Sequence, residues 1–92
     1  MSESAEAKPW WVYMIVCSDN TYYTGITTDL DRRFKQHQSG KGAKYFYGRK
    51  PLKFVLTEDG YNRSSASQRE AEIKSLSRQQ KIALINSQVT HE

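Results

Sequence analysis

The 92 residues carry a formal charge of +4 and a mean hydropathy of −0.81, enough chain for one small domain with one core and no second folded module. A lone cysteine, Cys17, excludes an internal disulfide and a cysteine-built zinc site, and no apolar run nears the ~20 residues of a membrane span. Without a signal pattern the expected location is the cytoplasm. The charge is uneven: one Lys or Arg against five acids over residues 1–31, thirteen against five over residues 32–92. That basic remainder favours a polyanionic partner, or more blandly serves solubility.

Residues 1–9 lack apolar periodicity and read as a disordered leader, 10–86 as the single domain and 87–92 as a tail. The run Trp10–Cys17 is rich in β-branched and aromatic residues, as is Thr21–Thr27, and Ser18-Asp19-Asn20 between them is turn chemistry. This predicts a β-hairpin. A two-residue turn would set Tyr13 and Tyr23 on opposite faces of the sheet. A three-residue loop pairs Cys17 with Thr21 and Ile15 with Tyr23 and brings both tyrosines to one face. Asn20 suits the left-handed position such a loop needs, so the odd loop is expected.

Thr28 is the expected N-cap of a helix, with Asp31 three residues on, that runs to about Ser39 and stops at Gly40. At 100° per residue Leu30, Phe34 and His37 share a stripe, Arg33 lies at its edge and Arg32 points nearly opposite. Arg33 can therefore lean over the sheet, although read alone it is a rim arginine covering the core. His37 is open between packing and a phosphate contact. Residues 40–53 contain Lys41, Lys44, Arg49, Lys50 and Lys53 with no acid, and Tyr45, Phe46 and Tyr47 among them. Cations follow phosphates and rings stack on bases, so Lys41, Lys44, Tyr45, Arg49 and Lys50 are nucleic-acid-binding candidates. The plainer reading is a solvated loop whose rings plug the core edge.

Pro51–Leu56 reads as a third strand with Leu52, Phe54 and Leu56, or alternatively Val55, inward, ended by Glu58-Asp59-Gly60. A helix follows from about Ser65 to Leu76, with Ala66, Ile73 and Leu76 inward. Ser77 with Gln80 forms a capping box for a last helix from Arg78 to about Ile85. The expected fold class is α+β: a small three-stranded antiparallel sheet with packed helices. Glu70 and Glu72 flank the apolar stripe of the second helix at similar angles, and periodicity does not separate them.

Trp11-Val12-Tyr13, Tyr23-Thr24-Gly25 and Leu30-Asp31-Arg32-Arg33-Phe34-Lys35-Gln36-His37, in that order and spacing, resemble the GIY-YIG nuclease domain, and most of all its small stand-alone bacterial type. The likeness spans about Trp10 to Ile85. It departs at Trp11, where the family has glycine, and at Thr24, where it has isoleucine. The resemblance implies hydrolysis of DNA phosphodiesters with one divalent ion, Mg²⁺ or Mn²⁺; RNA offers the same phosphate chemistry. It implies a catalytic set of Tyr13, Tyr23, Arg33, His37 and Glu70, with Glu70, rather than Glu72, as the metal ligand. One tyrosine, Tyr13 in the first instance, would act as general base on water while Tyr23 orients it; Asn86 is the candidate for a further family amide. The alternative is a nucleic-acid-binding module that keeps the fold and cuts little or nothing.

Overall fold

The computed structural model describes residues 9–40 and 44–89. In chain order the elements are β1 (Trp10–Cys17), β2 (Tyr22–Thr27), α1 (Leu30–Gln38), a 3₁₀ turn at Lys44–Phe46, β3 (Pro51–Tyr61), α2 (Arg63–Lys74) and α3 (Arg78–Val89). The sheet is antiparallel with order β2-β1-β3. This is the expected α+β arrangement; the leader at residues 1–8 lies outside the described residues, and α3 continues past the expected boundary at 86. No helix among the described residues is long and apolar enough to cross a membrane.

The hairpin closes through the three-residue loop. Cys17 N donates to Thr21 O and Asn20 N to Cys17 O, both at 2.8 Å, and Asn20 has φ 68°. Ile15 consequently faces Tyr23 across the ladder and Tyr13 faces Gly25. Because side chains alternate, the odd-numbered residues of β1 and β2 form one face and the even-numbered the other. Val12 and Met14 pack with Leu56 against Ala66 and Ile73 of α2 and Leu84 and Ile85 of α3. Tyr13, Ile15 and Cys17 pack with Phe46 and Phe54 against Leu30 and Phe34 of α1. The sheet thus separates two apolar clusters instead of bordering the single core expected, and β1, covered on both faces and paired on both edges, holds Val12 through Ile15 at 0% exposure.

β3 departs from simple alternation. Its register against β1 slips between Met14 and Ile15, where Val55 is the extra residue, and between Val16 and Cys17, where Leu52 is. The first slip sends Phe54 to the Tyr13 face and Leu56 to the Met14 face. The second turns Leu52 outward, 57% exposed, contrary to the inward placement expected from period two. Glu58-Asp59-Gly60 does not end the strand either. A third slip there, with Gly60 at φ +90°, carries pairing on to Tyr61 opposite Trp10.

The helix ends follow their capping chemistry. Asp29, not Thr28, caps α1: its Oδ1 accepts from Arg32 N at 3.0 Å, while its own N–H donates to Thr27 Oγ1 at 3.1 Å. Gly40, at φ +83°, follows the α1 C-cap Ser39. Asn62 and Ser65 form a reciprocal box on α2, and Ser77 and Gln80 the expected one on α3. Arg78, the first residue of α3, donates to Asn20 O at 2.9 Å and lies 4.9 Å from the Tyr22 ring centroid. The last helix is thereby tied to the hairpin turn.

Candidate active site

Tyr13 is the centre of the odd face. Its ring crosses the backbone of Gly25, where a β-carbon would lie 2.5 Å from Tyr13 Oη and 2.7 Å from Cζ. Only glycine leaves that space. The Tyr13 hydroxyl lies 2.9 Å from His37 Nε2, and the Phe54 ring meets it edge-on at 5.6 Å. Tyr13 is 0% and His37 1% exposed. Burial raises the phenol pKa well above its ordinary range, the nearby Tyr23 adding to this and Arg33 opposing it. Burial, reinforced by the Arg33 charge, pushes the imidazole down to about 4. A protonated phenol and a neutral imidazole therefore share one hydrogen bond without a buried charge. The Nδ1 of His37 has no hydrogen-bond partner among the described residues.

Tyr23 is the accessible member of the pair. Half-buried, its ring lies 6.2 Å from that of Tyr13 and meets His37 in a T-shaped contact at 5.3 Å. Burial raises its pKa too; Lys74 and Arg33 oppose the shift and Glu70 adds to it. Arg33 is half-buried beside these rings, whereas Arg32 is exposed, as the helix phase predicts. Glu70 stands at the rim, its side chain 23% exposed and its Oε2 3.2 Å from Lys74 Nζ. The two glutamates are now distinct: Glu72 is 66% exposed and paired at 3.1 Å with Arg69, which also forks onto Glu58 at 2.9 and 3.0 Å. The structure thus gathers Tyr13 from β1, Tyr23 from β2, Arg33 and His37 from α1 and Glu70 from α2. Asn86 is exposed on α3, which packs on the even face.

The basic loop divides. Lys41 lies outside the described residues. Lys44 and Lys50 are exposed. Tyr45 stacks on Tyr23 at 5.2 Å and Phe46 plugs the core, 4.9 Å from the Tyr23 ring and 4.3 Å from His37. Arg49 covers the Tyr45 ring at 4.2 Å, donates to Tyr45 O at 2.9 Å and pairs with Asp19 at 2.7 Å. It fastens the loop to the hairpin turn, an ion pair spanning thirty residues that the sequence does not announce. Tyr47 is 83% exposed.

For a divalent ion the donor set is sparse. No group of three or more His, Cys, Asp or Glu able to hold a metal occurs among the described residues. Glu70 offers one carboxylate, whose Oε2 faces Lys74 Nζ. A lone carboxylate fits Mg²⁺, which keeps most of its waters and takes phosphate oxygens as further ligands.

Residues 9–83 match the GIY-YIG catalytic domain. A UPF0213 protein of Halobacterium salinarum is 55% identical over 73 residues, 79% of this chain and 95% of the relative. The UPF0213 protein YhbQ of Escherichia coli is 47% identical over 77 residues, 84% and 77% of the two chains. The solution NMR structure of a UPF0213 protein from Bacillus halodurans superposes with a TM-score of 0.55 at 46% identity, covering 85% of this chain and 83% of that one. With a family match over residues 9–83 and relatives at 47–55% identity across most of both chains, the chain belongs to the GIY-YIG catalytic domain family, among its UPF0213 members.

Proposed function

We propose that the protein hydrolyses phosphodiester bonds of DNA with low sequence specificity, in DNA repair or processing, using one divalent ion in the cytoplasm. The observation that carries this reading is the convergence of two phenols, a guanidinium and a carboxylate, from four separate elements, at one rim of the sheet. Glu70 would hold the ion, which when bound polarises the phosphate and stabilises the leaving oxygen. Arg33 holds the non-bridging oxygens and meets the charge that develops on them. Tyr13, sealed from solvent, cannot meet an attacking water without opening the site. The base is therefore assigned to Tyr23, the less buried of the two phenols, with Tyr13 and His37 holding its surroundings rigid. Because Tyr23 has a raised pKa, the rate should climb with pH through the neutral range.

Plasmid nicking tests the reading. Mg²⁺ or Mn²⁺ should support nicking, Glu70→Gln should abolish it with the fold intact, and Glu72→Gln should leave it near wild type. The reverse pattern moves the metal to Glu72. One observation favours the non-cutting alternative: Lys74 already places a cation on Glu70. DNA retention without nicking at any metal concentration would establish that alternative.

A further inference from the structure

We infer that Tyr47 is a stacking platform for an unpaired base, so that the strand entering the site is single-stranded DNA. The inference rests on the phosphodiesterase reading and names the form of its substrate. Three consecutive rings, Tyr45, Phe46 and Tyr47, stand in the basic loop, and the first two are spent on packing against Tyr23 and His37. The third has no such use. At 83% exposure Tyr47 is one of two large exposed hydrophobic side chains among the described residues, the other being the bulged Leu52. A single exposed ring is common on any protein surface; the setting gives this one its meaning.

Tyr47 is presented on a fixed frame. Its N–H donates to Lys44 O at 2.9 Å, Phe46 anchors the turn in the core, and Arg49 clamps the far side to Asp19. With the backbone that carries it already fixed, the ring costs only its own side-chain freedom when a ligand covers it. The exposed Lys44 and Lys50 lie on either side in sequence and supply charge for a backbone that passes the ring. Base-on-ring stacking needs an open π-face on both partners, which a base inside a duplex does not offer. Next to a ring whose neighbours touch Tyr23, an unpaired nucleotide is the ligand with matching chemistry.

The test is fluorescence anisotropy in EDTA, so that binding is read without cleavage, on a labelled single strand and on a blunt duplex of equal length. Tyr47→Ala should weaken single-strand binding about tenfold and leave duplex binding unchanged, and Tyr47→Trp should retain single-strand binding. At its exposure Tyr47 bears little on folding, and thermal melting verifies this. Unchanged single-strand affinity in Tyr47→Ala overturns the inference, as does an equal loss on both DNAs. A protein that never nicks but shows the selective loss keeps the platform and refutes the nuclease; one that nicks normally yet shows no loss does the opposite.

Discussion

Gly25→Ala is the sharpest test of how the tyrosine site is built. The added methyl would sit 2.5 Å from Tyr13 Oη, 2.7 Å from Cζ and 3.1 Å from Cε2, where ordinary contact begins near 3.4 Å. The ring must shift by nearly 1 Å in a pocket where Tyr13 has no exposed surface and Phe54 blocks one side. Overpacking of this kind costs about 1–3 kcal/mol. The same shift strains the 2.9 Å bond to His37, and leaving that pair buried and unmatched costs a further ~1–3 kcal/mol. Against a total stability of roughly 5–15 kcal/mol, a loss of about 2–6 is plain in urea unfolding. The assay is a double-mutant cycle with Tyr13→Leu, whose side chain lacks the colliding atoms. In that background Gly25→Ala should cost close to nothing, giving a coupling of at least ~2 kcal/mol. An equal cost with and without the tyrosine ring would refute the close approach as the reason for glycine.

Arg33→Ala should lower the cleavage rate at least ~10², and Arg32→Ala should behave nearly as wild type; equal losses would show the helix phase to be wrong. As pH falls below the ordinary histidine value of 6.5, the unfolded chain gains a proton that buried His37 refuses until about 4, so stability present above 6.5 is lost on the way down. The loss amounts to roughly 2–3 kcal/mol near pH ~4.5 and should vanish in His37→Gln, and an NMR titration of His37 near its ordinary value would contradict it. Changing Lys44 and Lys50 together to Ala should flatten the plot of log affinity against log salt by up to about two units, at ~0.9 per duplex phosphate contact. Arg49→Ala should alter that slope little, since Asp19 holds the guanidinium; an unchanged slope in the lysine double mutant would exclude those side chains from phosphate contact.

The hairpin was legible because parity is a strong constraint: one residue more or less in the loop moves Tyr23 to the other face, and Asn20 marks which length is used. The phase of α1 was legible for the same reason, with Leu30, Phe34 and His37 leaving one side for Arg33. β3 was not, because its bulges are set by pairing with β1 and not by its own alternation; nothing in Leu52 itself says that it stands at a slip. Glu70 and Glu72 separate only through Arg69, which Glu58, eleven residues upstream, draws aside with Glu72. The resemblance singles out Glu70 where periodicity could not. Tyr45 and Arg49 looked like free ligands of nucleic acid because their intramolecular partners, Tyr23 and Asp19, lie far away in sequence.

The central place of β1 bears on how the chain reaches its fold. Trp10–Cys17 has eight consecutive residues without a charge and becomes the most covered strand. During synthesis it emerges before either neighbour. β2 follows at once and can close one edge locally, but the other edge stays open until Pro51–Tyr61 has been made. Through that interval an apolar strand presents unpaired N–H and C=O groups to any other chain that can add to it. Dilution or a holding chaperone during refolding therefore acts on this one edge, and a nascent chain halted within α1 is the species most prone to self-association.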